Sequence, residues 1–340
     1  MNPVKTLSKR IKSFSARLWP VAIVLLAGGC FSVDVGSLFN PRLEEVTLRE
    51  PLGWTRNRIV VLDINGLISV EPAGVFAPGD RCTPDGVRAV LDRAERDPGV
   101  KAIVLRINSP GGGVAATDMV THEIASFKKR TGLPVVAVIM AAGCSGGYYI
   151  ATAADQIWAH PASLTGSIGV IAVFPQIQGL TGKIGIGQVV VKSGDLKDMG
   201  SPLREMSGQE RDVFQRMIDD YYELFLDHIV ATRSAFPTRG TLAPYADGRV
   251  FTASQAVEAG LIDRIGHMDD VLWNAMALAG IRDARIVAYA HGPNPDATPY
   301  SAAAQESLGL PELGVHLPRL ADITGGPGFH YLWLPGAAPR

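Results

Sequence analysis

Apolar positions along the chain alternate between continuous runs and a 3.6-residue spacing. The run "RIVVLDINGLI", residues 58–68, is rich in β-branched residues and reaches Asn65-Gly66, which predicts a strand entering a turn. In "TPDGVRAVLDRAERDPG" the period changes. Val87, Val90, Leu91 and Ala94 fall at i, i+3, i+4 and i+7 on one helical face, with Thr83 as cap and Pro84 in the first turn. "VKAIVLRI" then reads as a buried strand, "VAATDMVTHEIASFKKRTG" as a helix ending at Gly132, and "LPVVAVIM" as another strand. This alternation predicts an α/β fold, a parallel sheet covered by helices.

The pattern continues with a helix starting at Ser145, a short strand "DQIWAH", the glycine-punctuated "SLTGSIGVIAVF" and a strand "QVVVKSG" at residues 188–194. A capping box, "SGQE", opens a long helix after Ser207 with Glu210 at its third position. Phe214, Met217, Ile218, Tyr221, Leu224 and Phe225 form its apolar stripe, read as core or subunit contact in preference to a ligand site. Thr252 of "TASQ" caps a further helix in the same way. From about residue 291, "HGPNPDATP" breaks the period, and 291–340 reads as a Pro/Gly-rich arm.

The N-terminus follows a different logic. Lys5, Lys9, Arg10, Lys12 and Arg17 precede "PVAIVLLAGGCF" without an acid among them, and that apolar run is too short to span a bilayer comfortably. Residues 1–30 therefore have the shape of a signal peptide. Its end, "LAGGC", resembles the lipobox at which bacterial lipoprotein precursors are cleaved and diacylated, which makes Cys30 the expected lipid attachment site. An uncleaved signal anchor is the alternative. Either one holds the main domain, residues 57–290, to a membrane on its extracytoplasmic side, with 31–56 as a tether.

At 340 residues and 47% hydrophobic, the chain has enough apolar material for one large α/β domain or two modest ones. A formal net charge of -1 offers no basic stripe, which argues against a nucleic-acid partner. Three cysteines make no disulfide framework, and with Cys30 lipidated, Cys82 and Cys144 are expected as free thiols.

Three chemistries compete for the polar and glycine-rich positions. In "RINSPGGG", Arg106 to Gly113, glycines at a strand-to-helix turn could cradle an anion, and Gly111, Gly113 and Ala116 loosely match a dinucleotide fingerprint. The next strand lacks the acidic residue that would meet a ribose, and no cofactor is called for. Gly143, Ser145 and Gly147 fit the nucleophile elbow of α/β-hydrolases, which would need a later acid and one of His228, His267, His291, His316 or His330. The third reading pairs Ser145 with Lys197 of "KSGDLKDMGSP", both at the carboxyl-end rim of the sheet.

Four segments carry a resemblance: "VLRINSPGGGVAATDMV", "SGGYYIATAADQIWAHPASLTGSIGV", "SGDLKDMGSP" and "ADGRVFTASQAVEAGLIDRIG". Together, over residues 58–290, they resemble the signal peptide peptidase A family of serine proteases in its short, single-domain form. The resemblance implies a Clp-protease/crotonase-like spiral of ββα units, a Ser/Lys dyad and a closed homo-oligomeric ring or dome. It places the nucleophile at Ser145, the general base at Lys197, the lysine-orienting hydroxyl at Ser167, and the oxyanion-hole N–H groups at Gly112 and Gly146. One departure is local: "AAGCS" stands where the family usually has "DVAAS", so Ala141 replaces an aspartate. The implied substrates are hydrophobic peptides such as residual signal peptides. A catalytically silent scaffold for membrane proteins and a crotonase-like acyl-CoA enzyme are the competing classes; the intact Ser145 and Lys197 oppose the first and the export signal the second.

Overall fold

The computed structural model describes residues 43–71, 81–291, 296–301 and 329–333. The leader, Cys30, the tether up to residue 42 and most of the arm lie outside them. Among the described residues, twelve strands join one mixed sheet. In chain order they are β1 Leu43–Arg49, β2 Arg58–Ile68, β3 Arg81–Cys82, β4 Val100–Gly113, β5 Val135–Cys144 and β6 Gln156–Ala159. Then come β7 Leu164–Gly166, β8 Ile171–Ala172, β9 Val250–Thr252, β10 Arg264–Ile265, β11 Arg285–His291 and β12 Phe329–Leu332. The main path runs β1-β11-β2-β4-β5-β6-β10 and is parallel throughout except at β1, which pairs antiparallel with β11.

Each central strand divides its side chains between two cores, as a period of two requires. On β4 and β5, Ile103, Leu105, Ile107, Ala137 and Ile139 face one cluster, completed by helices α1 Pro84–Arg96 and α2 Val114–Thr131. Ala102, Val104, Val136 and Val138 face the other, where Met268, Val271, Leu272, Ala275 and Met276 of a later helix pack. Strands buried on both faces read as continuous apolar runs, which is how the sequence shows them. Thr83 accepts from the Gly86 N–H as the cap of α1, and Gly132 ends α2 with φ 66.

The remaining helices are α3 Gly146–Ala151, α4 Gln178–Lys183, α5 Gly208–Thr232, α6 Arg239–Leu242, α7 Ala253–Glu258 and α8 Met268–Leu278. Several expectations are corrected. The strand expected at 188–194 is not one: this run pairs with nothing, and Val189 and Val191 are 94% and 95% exposed. β-branched composition marks a strand only where a partner edge exists. Asn65-Gly66 is not a hairpin turn; β2 passes through it with a bulge against β4, and Gly66 takes φ 65. On α5, Met217 and Leu224 are exposed, while Phe214 and Phe225 are buried. Two strands lie in segments expected to be irregular: β1 within the tether, where Val46 and Leu48 are buried between charged residues, and β12 within the arm.

Candidate active site

The carboxyl ends of three adjacent parallel strands, β4, β5 and β7, converge. Ser109 lies opposite Gly143, and Cys144 opposite Gly166. The chain turns sharply at the end of β5 into α3, and Ser145 makes that turn with φ 51 and ψ −114, a conformation few non-glycine residues adopt. Such a residue costs about 1–3 kcal/mol and persists only where its surroundings hold it. Here the Ser145 N–H donates to the Gly166 carbonyl at 2.7 Å and the Tyr149 N–H returns to the Ser145 carbonyl at 2.9 Å. Ser167, the residue after that carbonyl, has φ 51 as well, and its N–H donates to Arg249 at 2.7 Å. The two serines expected at the site are thus brought together on neighbouring strand ends.

Ser145 is 1% exposed, and its Oγ has no hydrogen-bond partner among the described residues. An unpaired buried hydroxyl is costly. Among the described residues, no histidine is hydrogen-bonded to it. His228 stacks on Tyr149 at 3.9 Å with Nε2 on the Thr152 hydroxyl, and burial lowers its pKa. His267 caps α8 beside His160. Cys82 and Cys144 are free, and burial pushes both thiols up to about 12, so the cysteine beside Ser145 is no thiolate nucleophile.

"RINSPGGG" proves to be strand, not an anion-binding turn. β4 continues to Gly113, pairing through Gly111 and Gly112 with Leu67 and Ile68 of β2. On its other side runs β12, antiparallel, with Tyr331 opposite Gly112. The Trp333 N–H donates to the Pro110 carbonyl at 2.8 Å, and bonded pairs alternate in such a ladder, so the Gly112 N–H is aimed at the Tyr331 carbonyl. The first residue of α3, Gly146, owes its N–H to no intrahelical bond. A Cβ placed on it would come within 2.7 Å of the Thr117 hydroxyl and 3.2 Å of the Tyr331 oxygen. Gly112 and Gly146, the two expected oxyanion donors, therefore both border the Tyr331 carbonyl oxygen. Thr117, buried and also without a partner for its hydroxyl among the described residues, escaped the sequence reading because nothing in "VAATDMV" distinguishes it.

Lys197 makes no hydrogen bond to the Ser145 hydroxyl. It lies exposed after α4, its N–H bonded to the Gly194 carbonyl at 3.1 Å. Its neighbour Asp198 faces elsewhere, accepting from Lys192 at 2.7 Å and from Arg204; these two cations hold its carboxyl well below the usual range.

The model of Peptidase family S49 matches residues 127–282. A protein of Enterococcus faecium named signal peptide peptidase SppA is 33% identical over 247 residues, covering 73% of this chain and 70% of that protein. The chain belongs to peptidase family S49. Further S49 relatives are Protease 4 of Salmonella typhi, 33% identical, and the chloroplastic serine protease SPPA of Arabidopsis thaliana, 30% identical. The chain spans only 37% and 34% of their lengths. Membership in S49 makes it a serine peptidase with an α/β, mostly parallel sheet. Among the described residues, no helix is long and apolar enough to cross a membrane.

Proposed function

We propose that the chain is a membrane-tethered serine endopeptidase in which Ser145 attacks a peptide carbonyl and Lys197 of a neighbouring copy acts as general base. The observation that carries this reading is the strained, buried Ser145, whose hydroxyl has no partner among the described residues. A serine hydroxyl attacks only as a base takes its proton, and a lysine can take it only when neutral. An amine near pKa 10.4 in water becomes such a base once assembly buries it. The exposed apolar residues before Lys197, among them Leu180, Ile186, Val189 and Val191, form a surface that a second copy would cover, carrying the lysine with it.

Ser167 would hold the incoming amine by a hydrogen bond, and the Gly112 and Gly146 N–H groups would receive the oxyanion. A closed ring of Clp-protease/crotonase-like subunits satisfies this head-to-tail supply. Lipid at Cys30 would tether the ring to the extracytoplasmic face of a membrane, where hydrophobic segments such as cleaved signal peptides are the substrates within reach.

Mixing two inactive variants tests the assignment. Ser145→Ala and Lys197→Met are each expected to abolish hydrolysis, and co-refolding them in equal amounts should restore about a quarter of the sites, since each site takes one residue from each neighbour. Silence of the mixture would place both residues in one chain; activity in either variant alone would remove that residue from the mechanism.

A further inference from the structure

We propose that residues 49–56 and the outer face of α8 form a lipid-contact surface, which seats the amino ends of the strands on the bilayer. The inference rests on the membrane-tether reading and adds to it the side chains that touch lipid. Leu52 and Trp54 are 87% and 88% exposed, and Trp273 and Leu278 of α8 are 50% and 44% exposed. Large apolar side chains gathered in the open mark a surface that something covers.

The loop that carries them is braced. Residues 49–53 run beside α8 and are tied near both of its ends. Arg49 donates to the Asp269 carboxylate at 2.9 Å before Trp273, and the Gly53 N–H donates to the Asp283 carboxylate at 2.8 Å after Leu278. Asn57 closes the loop, its N–H on the Thr55 hydroxyl at 3.1 Å and its side-chain amide on the Asp283 carbonyl at 3.2 Å. Leu52 and Trp54 are therefore held in solvent by a fixed backbone.

The chemistry of the patch selects lipid. Each exposed tryptophan carries an arginine: Arg49 lies 5.9 Å over the Trp273 ring and Arg56 5.7 Å over the Trp54 ring. At a headgroup layer the indole sits between acyl chains and water, while the guanidinium meets phosphate oxygens. The acids nearby are already engaged. Asp269 pairs with Arg49, Glu50 with Arg285 at 3.1 Å, Asp270 accepts from the His267 N–H, and Asp283 braces the loop. Among the described residues, Arg56 and the exposed Arg282 make no ion pair, so both are available to anionic headgroups.

The place of the patch in the chain fits the same occupant. Only residues 31–42 separate Cys30 from Leu43, where β1 begins, and that connection reaches at most roughly 45 Å. β1 itself is about 20 Å long, so with the loop on the bilayer Leu43 stays well within reach of a lipid at Cys30. The apolar run before Lys197, which the proposed ring covers, shares no residue with this surface. The patch lies where β2 and β11 begin, with Arg58 opposite Arg285, and Ser145 stands at the other end of the sheet. β4 climbs about 30 Å from Val100 to Ser109, beside Gly143, so a docked domain cuts segments that have left the bilayer.

The test uses the full chain, purified from membranes and reconstituted into vesicles of phosphatidylcholine and phosphatidylglycerol, with or without bromine on the acyl chains. Bromine quenches tryptophans that lie against the acyl chains. Trp19, Trp158 and Trp333 are common to the wild type and the Trp54→Phe, Trp273→Phe double variant, so the difference between them reports the patch. The wild type should lose about twice as much emission per chain to brominated lipid as the double variant, or more. Equal losses, with both chains floating with the vesicles on a density gradient, overturn the docking surface and leave the tether standing. Chains that do not float with the vesicles overturn both. In detergent, where no bilayer is present, Trp54→Asp should leave the mass of the assembly unchanged; a fall in mass would give the surface to a second copy and overturn the lipid assignment.

Discussion

Adjacent glycines at the end of β4 should respond oppositely to the same added methyl. A Cβ on Gly112 would lie 2.0 Å from the Ile68 carbonyl oxygen and 2.6 Å from the Ile68 nitrogen, whereas a Cβ on Gly113 meets nothing nearer than that oxygen at 3.9 Å. Ordinary contact begins at 3.4 Å, so Gly112→Ala must part β2 from β4 by roughly 1.4 Å. Overpacking of this kind costs about 1–3 kcal/mol, within the 5–15 kcal/mol that keeps a typical domain folded. The same shift carries the Gly112 N–H away from the oxyanion position, and losing one such donor costs about 100- to 1,000-fold in kcat, or about 2.7–4 kcal/mol. The assay is kcat and KM on a fluorogenic peptide, with urea midpoints of both variants beside the wild type. Gly112→Ala should lose catalysis with a modest fall in stability, and Gly113→Ala should keep both. A Gly112→Ala enzyme with kcat within threefold of wild type would refute the donor assignment.

Two further outcomes concern the scaffold that holds the site. Arg106, almost fully buried, binds both carboxylate oxygens of Asp63 at 2.6 and 2.8 Å and also donates to the Ser301 carbonyl. Arg106→Leu should cost about 3–5 kcal/mol in urea denaturation by leaving the Asp63 carboxylate without its guanidinium, and Asp63→Leu in the same chain should recover much of it. Glu210 is 1% exposed, and the Arg204 guanidinium, aided by the Ser207 N–H, lowers its pKa from 4.5 to about 2 against the effect of burial. A depressed carboxylate pKa contributes stability that is full above pH 4.5 and fades as pH falls toward 2. Urea midpoints between pH 2 and 5 should therefore fall with acid in the wild type and change less in Glu210→Gln.

Much of the fold is legible because its signals are local. Thr83, Gly132, Ser207 and Thr252 mark helix ends through hydrogen bonds within a few residues, and all four do so in the structure. The apolar runs of β4 and β5 announce strands buried on both faces. What escapes the sequence depends on partners far along the chain. Residues 188–194 have strand composition and no strand to pair with, while Phe329–Leu332 has little composition to mark it and two edges waiting. The site divides in the same way. Ser145, Ser167, Gly112 and Gly146 lie at or beside the ends of parallel strands in one sheet, whereas Lys197 lies in an exposed segment that joins no strand.

The central claim, that Ser145 is a nucleophile made reactive by Lys197, is tested most directly by a fluorophosphonate label mapped by mass spectrometry. Such a reagent bonds only to a serine whose proton is being removed. The label should attach to Ser145 in the wild-type assembly, disappear in Ser145→Ala, and fall to background in Lys197→Met while Ser145 remains present and the fold intact. Labelling of Ser145 at an undiminished rate in Lys197→Met, or attachment to Ser167 instead, would contradict it.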